Sequence, residues 1–256
     1  MTGGLPLMMA KQCVLRRAWV AGATGALMLC IAGMHPTLAA SAQRLPAPVF
    51  ERPKAATVLQ TAVLAGGCFW GVQGVFQHVR GVRRVLSGYA GGEKGTAHYH
   101  QVSSGTTGHA ESVEITFDSG AISYGEILRI FFSVVHDPTE LNRQGPDVGP
   151  QYRSEIFYQD EAQASIARAF IAQLDKAQVF KHPIATRIDA LKGFYLAEET
   201  HQDFLIKYPD SPYIVVNDLP KIAALKRLFP EDYREQPVRA MDDAIPITIG
   251  DSALKK

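Results

Sequence analysis

The chain has 256 residues and a mass of 27.9 kDa, which is enough for one or two domains. A composition of 46% hydrophobic and 20% charged residues is typical of a globular protein, and it excludes a disordered chain, a coiled coil, a collagen-like repeat and a polytopic membrane protein. The formal net charge of +1 gives no sign of a nucleic-acid partner or of a solvated acidic tail.

Residues 1–42 have the three-part layout of a secretory signal peptide. Lys11, Arg16 and Arg17 form a basic start, residues 18–33 are apolar, and small residues provide a cleavage site that ends at Ala42 or two residues earlier. The apolar run is shorter than the roughly 20 residues that cross a bilayer. We therefore expect cleavage and export, to the bacterial periplasm.

Other interpretations of this leader stay open on the sequence alone. It would serve as an uncleaved membrane anchor if the signal were not cut. Arg16-Arg17 leaves a twin-arginine export route open, and Cys30 leaves a lipoprotein site open, although Leu29 is bulkier than the small residue that usually precedes a lipoprotein cysteine.

The three cysteines are Cys13, Cys30 and Cys68, and the first two lie in the predicted signal peptide. After cleavage Cys68 would be a lone cysteine, which has no partner for an internal disulfide. A single thiol in an oxidising compartment is either buried and inert or retained for its reactivity.

The remaining chain divides by composition into a linker, one domain and a tail. Residues 43–57 are rich in proline and alanine and are expected to form an extended linker. Residues 58–239 have the size of a single domain, the expected catalytic domain. Residues 240–256 show no long apolar period and are expected to form a loose tail.

The first half of the domain contains three predicted strands and a helix. A short apolar run at 61–65, bounded by glycines, predicts a buried strand, and helical spacing of apolar residues follows at 68–79. A second strand is predicted at 82–89, and residues 91–108 form a long loop of the kind that carries function. Residues 111–117 alternate between apolar and polar, which predicts a half-buried strand.

The second half continues the alternation. Ser123 and Glu126 have the spacing of a capping box, which predicts a helix that continues to residue 135, and a glycine- and proline-containing loop follows at 144–150. Strands are predicted at 152–158 and 184–191, and helices at 162–177, 197–208 and 219–228. This alternation predicts a mixed sheet with helices packed on it.

The position of Cys68 indicates a reactive thiol. At the start of a helix the thiol faces unpaired backbone N–H groups and the positive end of the helix dipole, so its pKa is expected to fall. Gly66 and Gly67 before it permit a tight turn, and Phe69 and Trp70 after it offer aromatic surface. The alternative is a buried structural cysteine, which is common for free cysteines.

Glu111 stands on the apolar face of its predicted strand, with Val113, Ile115 and Phe117. A carboxyl group in that setting is either desolvated, with a raised pKa that suits a general acid, or placed at the lip of a pocket. The alternative is a glutamate at the strand end that simply reaches solvent.

The pentapeptide GCFWG at 67–71 resembles the signature of the A-type methionine sulfoxide reductases, the peptide-methionine (S)-S-oxide reductases. Further blocks resemble this family in the family order, and the similarity covers about residues 61–208. These blocks are SGYAGG at 87–92, GTTGHAE at 105–111, HDPT at 136–139, QYRS at 151–154 and FYLAEETHQ at 194–202.

The resemblance implies an α+β fold, a two-layer sandwich around a mixed β-sheet with ferredoxin-like topology. It also implies that Cys68 attacks the sulfoxide sulfur to form a sulfenic acid and that Glu111 protonates the sulfoxide oxygen. Tyr99 and Tyr152 would hydrogen-bond that oxygen, and Asp147 would belong to a second polar group of the site.

The family's substrate pocket is implied in the same way. Phe69 and Trp70 would enclose the S-methyl group of the S-epimer, and Gly67 and His109 are also expected to bind the substrate. No metal and no bound cofactor are expected. Substrates would be oxidised proteins or free methionine sulfoxide, and the enzyme would be a monomer that repairs proteins in the cell envelope, without nucleic acid or stable membrane insertion.

One departure from many relatives concerns the return of the enzyme to its thiol state. Those relatives carry further cysteines that resolve the sulfenic acid, whereas this chain has Ser103 and Ser104 in the corresponding loop and no cysteine after Cys68. An external reductant is therefore expected, either a thioredoxin-like or glutaredoxin-like protein or a small thiol.

Two other classes of function compete with this interpretation. In a cysteine hydrolase or acyltransferase, Cys68 would pair with His109, His136 or His201 as base. In a metal-binding module, Cys68 and His109 would join the two histidines of the loop, His98 and His100, in a tetrahedral site.

Overall fold

The computed structural model describes residues 42–51 and 58–240. The predicted signal peptide up to residue 41, residues 52–57 of the predicted linker and the predicted tail from residue 241 lie outside the described residues. Among the described residues, no helix has both the length and the hydrophobicity that a membrane crossing requires.

A six-stranded sheet forms the centre of the domain, and a two-stranded hairpin stands apart from it. The strands are β1 (Leu59–Gly66), β2 (Val82–Ala90), β3 (Ala110–Asp118), β4 (Arg143–Gln144), β5 (Asp147–Val148), β6 (Ser154–Tyr158), β7 (Arg187–Ala190) and β8 (Phe194–Leu196). The hairpin consists of β4 and β5.

Six α-helices and several single turns accompany the sheet within the described residues. The helices are α1 (Phe69–Gln77), α2 (Tyr99–Val102), α3 (Tyr124–Ile130), α4 (Glu161–Lys176), α5 (Phe204–Lys207) and α6 (Leu219–Leu228). A π-helical turn, Phe131–Val135, extends α3, and a second, Ile214–Asp218, leads into α6. The 3₁₀ turns are Lys94–Thr96, Pro150–Tyr152 and Glu199–His201.

The sheet is mixed, with the spatial order β7-β6-β1-β3-β2-β8. The pair β6 and β7 is parallel, and the other neighbours are antiparallel. The succession β1-α1-β2-β3-α3-β6, with β6-β1-β3-β2 as neighbours, is the β-α-β-β-α-β arrangement of ferredoxin-like folds. The predicted α+β fold is therefore confirmed.

Helices pack on one face of this sheet. Phe76 of α1, Ile127 of α3, Phe170 of α4 and Leu225 of α6 share one buried cluster with Leu64 of β1. The opposite face holds a smaller cluster, which consists of Val63, Ala65, Ala90, Ala110 and Phe157 with Leu191 and Phe194 packed against it. Residues 67 and 68 connect the end of β1, which is a central strand of the sheet, to the start of α1.

The strand at 111–117 is not half-buried, contrary to the alternation of its sequence. It is β3, with β1 on one side and β2 on the other, and its polar residues Ser112 and Thr116 are buried, whereas Glu114 between them is partly exposed. A central strand covered on both faces hides its polar side chains as well, so alternation alone predicted the wrong environment.

The predicted helix at 197–208 is also wrong. The segment follows β8, which pairs with β2 and was not predicted, and contains only the turn Glu199–His201 and the short α5. Asp203 separates them in the left-handed conformation, with φ of 56°. Its carboxylate accepts hydrogen bonds from Gln77 Nε2 at 2.6 Å and from the backbone N–H of Ala240 at 2.9 Å. These tertiary contacts override the local helical pattern.

Residues 42–51, here called the N-terminal strap, lie against the helices, although composition predicted an extended linker. Leu45 is only 1% exposed and belongs to the main core. Its backbone N–H donates to Ser133 Oγ at 3.2 Å, and its carbonyl accepts from Arg129 Nε at 2.7 Å. Arg44 lies over the ring of Phe229. The strap is therefore part of the folded domain.

We expect Leu45→Ala to lower the free energy of unfolding by about 2–5 kcal/mol, because it removes buried methyl groups and leaves a cavity. Chemical denaturation of the purified protein measures this change. Val49→Ala on the same strap is the matched control, since the Val49 side chain is 83% exposed. Equal stability of the two variants would contradict a structural role for the strap.

Candidate active site

Cys68 caps the N-terminus of α1, at the turn from β1 into the helix as the sequence predicted. The turn depends on Gly67, whose φ of +93° lies in the left-handed region. A side chain there would also collide with Gln144 of β4, because a Cβ atom would lie 2.7 Å from that of Gln144. The absence of a side chain at Gly67 therefore allows the β4–β5 hairpin to lie close to Cys68.

The thiol of Cys68 is buried, and its pKa lies well above the ordinary value. Burial is the largest cause, and the charges of Glu111 and Asp218 raise the pKa further. The backbone N–H of Trp70, at the helix start, lowers it as predicted but is outweighed. The expectation of a lowered pKa was wrong for the free protein, because local position does not reveal burial or neighbouring carboxylates.

Glu111 stands near the start of β3, 2% exposed, with its carboxylate Oε2 accepting the backbone N–H of Phe69 at 3.0 Å. Burial raises the pKa of Glu111 to about 8; the Phe69 N–H opposes this rise, and the charge of Asp147 adds to it. Most Glu111 side chains are therefore protonated at neutral pH, as the apolar-face position suggested.

The structure brings three further predicted residues to the same place. Tyr99 begins α2, Asp147 begins β5, and Tyr152 ends a 3₁₀ turn. Burial, followed by the charge of Glu111, raises the pKa of both tyrosines, and the charge of Cys68 contributes to each. Burial also raises the pKa of Asp147. Three segments that are separate in the sequence thus come together near the thiol.

Tyr213 is a site residue that the sequence did not reveal. It directly precedes the π-helical turn Ile214–Asp218, and its hydroxyl donates to Asp147 Oδ2 at 2.5 Å. Its ring meets the indole of Trp70 edge to face, with centroids 5.8 Å apart. No periodicity marks this tyrosine, and only the fold brings it to Cys68, whose charge helps raise the pKa of Tyr213 after burial.

The two aromatic residues after Cys68 have different environments. Phe69 is fully buried, with its ring 5.8 Å from that of Tyr89 and 5.3 Å from that of His201. Trp70 is partly exposed and stacks on Phe204, with ring centroids 3.7 Å apart. Its indole N–H donates to His201 Nδ1 at 3.2 Å. The indole is therefore held in one orientation beside the thiol.

The block at 194–202 had no role that the sequence alone could assign, and the structure gives it a positioning role. One carboxylate oxygen of Glu198 accepts the hydroxyl of Tyr89 at 2.8 Å, and the other accepts the backbone N–H of Tyr99 at 2.9 Å. The ring of His201 lies 4.3 Å from that of Tyr99. Glu198 and His201 thus fix Tyr99 over the site.

His109, predicted to bind substrate, is buried and bonded to the backbone through both ring nitrogens. Nδ1 accepts the N–H of Gly92 at 3.2 Å, so Nε2 carries the proton and donates to the carbonyl of Glu93 at 3.0 Å. Arg153 donates to the carbonyls of Gly108 and His109 from the other side. In this structure His109 organises the loop and has no free ring nitrogen for a substrate.

The arrangement required of a cysteine hydrolase does not form in the described part of the chain. His136 is neutral because burial lowers its pKa to about 3, and it bonds Ser154 Oγ at 2.7 Å. The Nδ1 atom of His201 accepts the Trp70 N–H, and His109 is held as described above. No histidine in this part hydrogen-bonds to Cys68, and the charges that act on the thiol are carboxylates.

The metal-binding alternative has no support either. Within residues 42–51 and 58–240, no group of three or more histidine, cysteine, aspartate or glutamate side chains could hold a metal ion. His98, which precedes α2, and His100, within α2, are exposed, whereas His109 is buried.

A buried cysteine, a glutamic acid that is protonated near neutrality and several phenols lie close together in an α+β sandwich. A nucleophilic thiol with a proton donor beside it is typical of a thiol-dependent enzyme.

Comparison with known proteins specifies the class. A family model described as peptide methionine sulfoxide reductase matches residues 60–233, more than half of the chain. Peptide methionine sulfoxide reductase MsrA 2 of Mesorhizobium japonicum is 58% identical over 185 residues, which cover 72% of this chain and 95% of that protein. The chain therefore belongs to the peptide methionine sulfoxide reductase family, and it is an oxidoreductase of the MsrA type.

Solved structures agree with this assignment. Mxr1 of Saccharomyces cerevisiae in its reduced form is 33% identical with a TM-score of 0.54, over 60% of this chain and 87% of that one. Methionine sulfoxide reductase A of Corynebacterium diphtheriae is 29% identical with a TM-score of 0.51, over 66% of this chain and 88% of that one.

Proposed function

We propose that this enzyme reduces the S-epimer of methionine sulfoxide, in proteins or free, with Cys68 as nucleophile and Glu111 as general acid. The observation that carries the proposal is the position of a buried thiol beside a buried carboxyl group whose pKa is raised to about 8. A carboxylic acid that keeps its proton near neutral pH can give it to the substrate oxygen during the reaction.

The first step transfers the sulfoxide oxygen to the enzyme. Glu111 donates its proton to the sulfoxide oxygen, which weakens the S–O bond, while the sulfur of Cys68 attacks the sulfoxide sulfur. The thiol proton of Cys68 returns to Glu111, which leaves an intermediate whose substrate sulfur carries a hydroxyl group and an S–S bond to Cys68. The hydroxyl group then moves to the Cys68 sulfur as the S–S bond breaks, and the electron pair of that bond stays on the methionine sulfur. The products are methionine and a sulfenic acid on Cys68, so that the cysteine is oxidised by two electrons and the sulfoxide is reduced by two.

The neighbouring side chains would stabilise and orient this step. The hydroxyls of Tyr99 and Tyr152 are assigned to the sulfoxide oxygen, since both phenols lie near the carboxyl group of Glu111 and the thiol of Cys68. Phe69 and Trp70 are assigned to the S-methyl group. Tyr213 extends this aromatic surface, since its ring packs against Trp70 and its hydroxyl bonds Asp147. A pocket that holds one methyl group orients the chiral sulfur, so one epimer is expected to react.

Regeneration of the thiol requires an external reductant. Two thiols reduce the sulfenic acid in turn: the first forms a mixed disulfide with Cys68 and releases water, and the second releases the free Cys68 thiol and a disulfide. The support for an external source is that no cysteine follows Cys68 in the sequence. A thioredoxin-like protein, a glutaredoxin-like protein or a small thiol would serve.

The cellular setting follows from the leader. Its basic start, apolar run and small residues support export to the bacterial periplasm. There the enzyme would act as a monomer and repair oxidised proteins. N-terminal sequencing of the protein from its native membrane and soluble fractions tests cleavage after Ala42 against an anchored form.

A single turnover without reductant tests the proposed chemistry. The purified protein is mixed with excess racemic methionine sulfoxide, methionine is counted, and a sulfenic-acid trap is mapped by peptide mass. We expect about one methionine per protein, the trap on the Cys68 peptide and loss of the S-epimer alone. Formation of methionine with no modification of Cys68 would overturn the assigned nucleophile.

A further inference from the structure

Asp218 and Lys221 form a buried ion pair at the start of α6. Lys221 Nζ donates to Asp218 Oδ1 at 3.0 Å, and the two side chains are 7% and 0% exposed respectively. Among the described residues, Asp218 Oδ2 has no hydrogen-bond partner. A buried pair with an unpartnered oxygen is costly, and an apolar pair of the same shape would often be as stable or more so. Its presence therefore calls for a reason other than stability.

The pair lies directly against the first turn of α1, which carries the cysteine. A Cβ atom at Gly71, three residues after Cys68, would lie 2.7 Å from the carboxyl carbon of Asp218 and 2.8 Å from Lys221 Nζ. The two charged side chains thus occupy the space that a side chain at this position would fill. A negative charge beside the N-terminal turn of a helix is also favoured by the helix dipole.

The charges of the pair reach the reacting group and its neighbours. The negative charge of Asp218 acts on Cys68 and on Tyr213, and the positive charge of Lys221 acts on Asp147 and on His136. The other groups that face the thiol are Glu111 from β3, Asp147 from β5, Tyr99 from α2 and Tyr152 from its 3₁₀ turn.

We propose that the Asp218–Lys221 pair is a positioning element of the active site, which fixes the first turn of α1 against α6 and keeps a negative charge near the sulfur, so that the free enzyme holds Cys68 as a thiol. The inference rests on the proposed role of Cys68. Lys221 balances the aspartate, so that the negative charge can stay buried.

This arrangement has a chemical consequence. The thiolate is the form of cysteine that is alkylated and over-oxidised, and the thiol is comparatively inert. The protonated state of Glu111 near neutral pH removes one negative neighbour of Cys68, which leaves Asp218 and Asp147 as the charges that restrain ionisation. Cys68 would then be protected between turnovers without losing its position.

The test follows alkylation of Cys68 by iodoacetamide across pH in the full-length protein. The readout is the Cys68 peptide by mass spectrometry, because the chain also contains Cys13 and Cys30. Asp218→Asn keeps the shape and removes the charge, and we expect the pH midpoint of alkylation to fall by roughly one unit or more. Lys221→Met should raise the midpoint and lower the melting temperature, since it leaves a buried carboxylate uncompensated.

The double variant Asp218→Asn with Lys221→Met removes both charges, and it should recover the melting temperature while keeping the lowered midpoint. It keeps the proposal testable if a single variant does not fold. Glu126→Gln is the matched control, because Glu126 and Arg129 form an ion pair of the same spacing on α3, with 3.3 Å between charged atoms. This control should keep the wild-type midpoint.

Two results would overturn the proposal. The first is a wild-type midpoint of alkylation in the folded double variant. The second is loss of turnover in Asp218→Asn without any shift in the midpoint, because the pair would then have only a packing role. Alkylation does not require sulfoxide reduction, so the outcome is independent of the proposed activity. Failure of the wild-type protein to form methionine would remove the proposed function and leave the alkylation result standing.

Discussion

Replacement of Cys68 with serine is expected to abolish reduction of methionine sulfoxide. A serine hydroxyl is not a nucleophile towards sulfur without an adjacent base. It also cannot accept the oxygen, whereas a cysteine thiol accepts it and becomes a sulfenic acid. The fold should persist, because serine is close to cysteine in size and the helix start accommodates serine well as an N-cap residue. Methionine formation with a dithiol reductant measures the effect.

The sequence supplies matched controls for this variant in Cys13→Ser and Cys30→Ser. Both should retain the wild-type rate, because the proposed cycle uses only Cys68. Activity of Cys68→Ser above the uncatalysed background would contradict the assignment of Cys68 as the nucleophile. Loss of multiple turnover in Cys13→Ser or Cys30→Ser would instead show that a leader cysteine takes part in regeneration.

Glu111→Gln is expected to lower kcat by a factor on the order of 10²–10⁴ and to change KM only slightly. The amide keeps an oxygen for the backbone N–H of Phe69, which Glu111 accepts at 3.0 Å, but it has no proton to give at neutral pH. Steady-state kinetics with a dithiol reductant separates the two constants. A kcat within a few-fold of wild type would contradict the general-acid role.

The same residue predicts a pH dependence with a definite sign. Because burial raises the pKa of Glu111 to about 8, the acid form dominates below this pH and is lost above it. The rate should therefore fall as pH rises through the region of 8, and this limb should be absent in Glu111→Gln. Cys68 titrates in the same site, so the observed midpoints belong to the coupled pair.

Glu114→Gln is a suitable control for the pH profile. Glu114 lies on the same strand as Glu111 but on the opposite face, and burial raises its pKa too. The control should retain the falling limb near pH 8. A profile that rose through this region in the wild type would assign Glu111 to the base form and contradict the proposal.

Local sequence patterns predicted the elements that depend on contacts close in the chain. The glycines before Cys68 and the helical spacing after it placed the thiol at a strand-to-helix turn, where β1 and α1 meet. The spacing of Ser123 and Glu126 located the start of α3, where Ser123 Oγ accepts the N–H of Glu126 at 3.1 Å. Such patterns predict the local structure reliably, because the contacts that form it are between residues close in the sequence.

Other elements were missed because distant contacts decide them. The N-terminal strap has a linker-like composition, yet Leu45 enters the core between helices that follow it by more than 80 residues. Residues 197–208 have a helical pattern, yet Asp203 adopts a left-handed conformation to bond Gln77 and Ala240. No pattern in the neighbouring sequence predicts either the burial of Leu45 or the left-handed conformation of Asp203.

Local sequence patterns indicated the candidate reacting groups, which are Cys68 at a helix start in a family motif and Glu111 on the apolar face of a strand. The protonation states of these groups depend on the folded structure. The pKa of Cys68 is raised, not lowered, because its surroundings are buried and bring in the carboxylates of Glu111, Asp147 and Asp218. Side-chain charge is a property of the three-dimensional environment, since desolvation and Coulomb interactions depend on distance in space, whereas the identity and local geometry of a nucleophile depend on its neighbours along the chain.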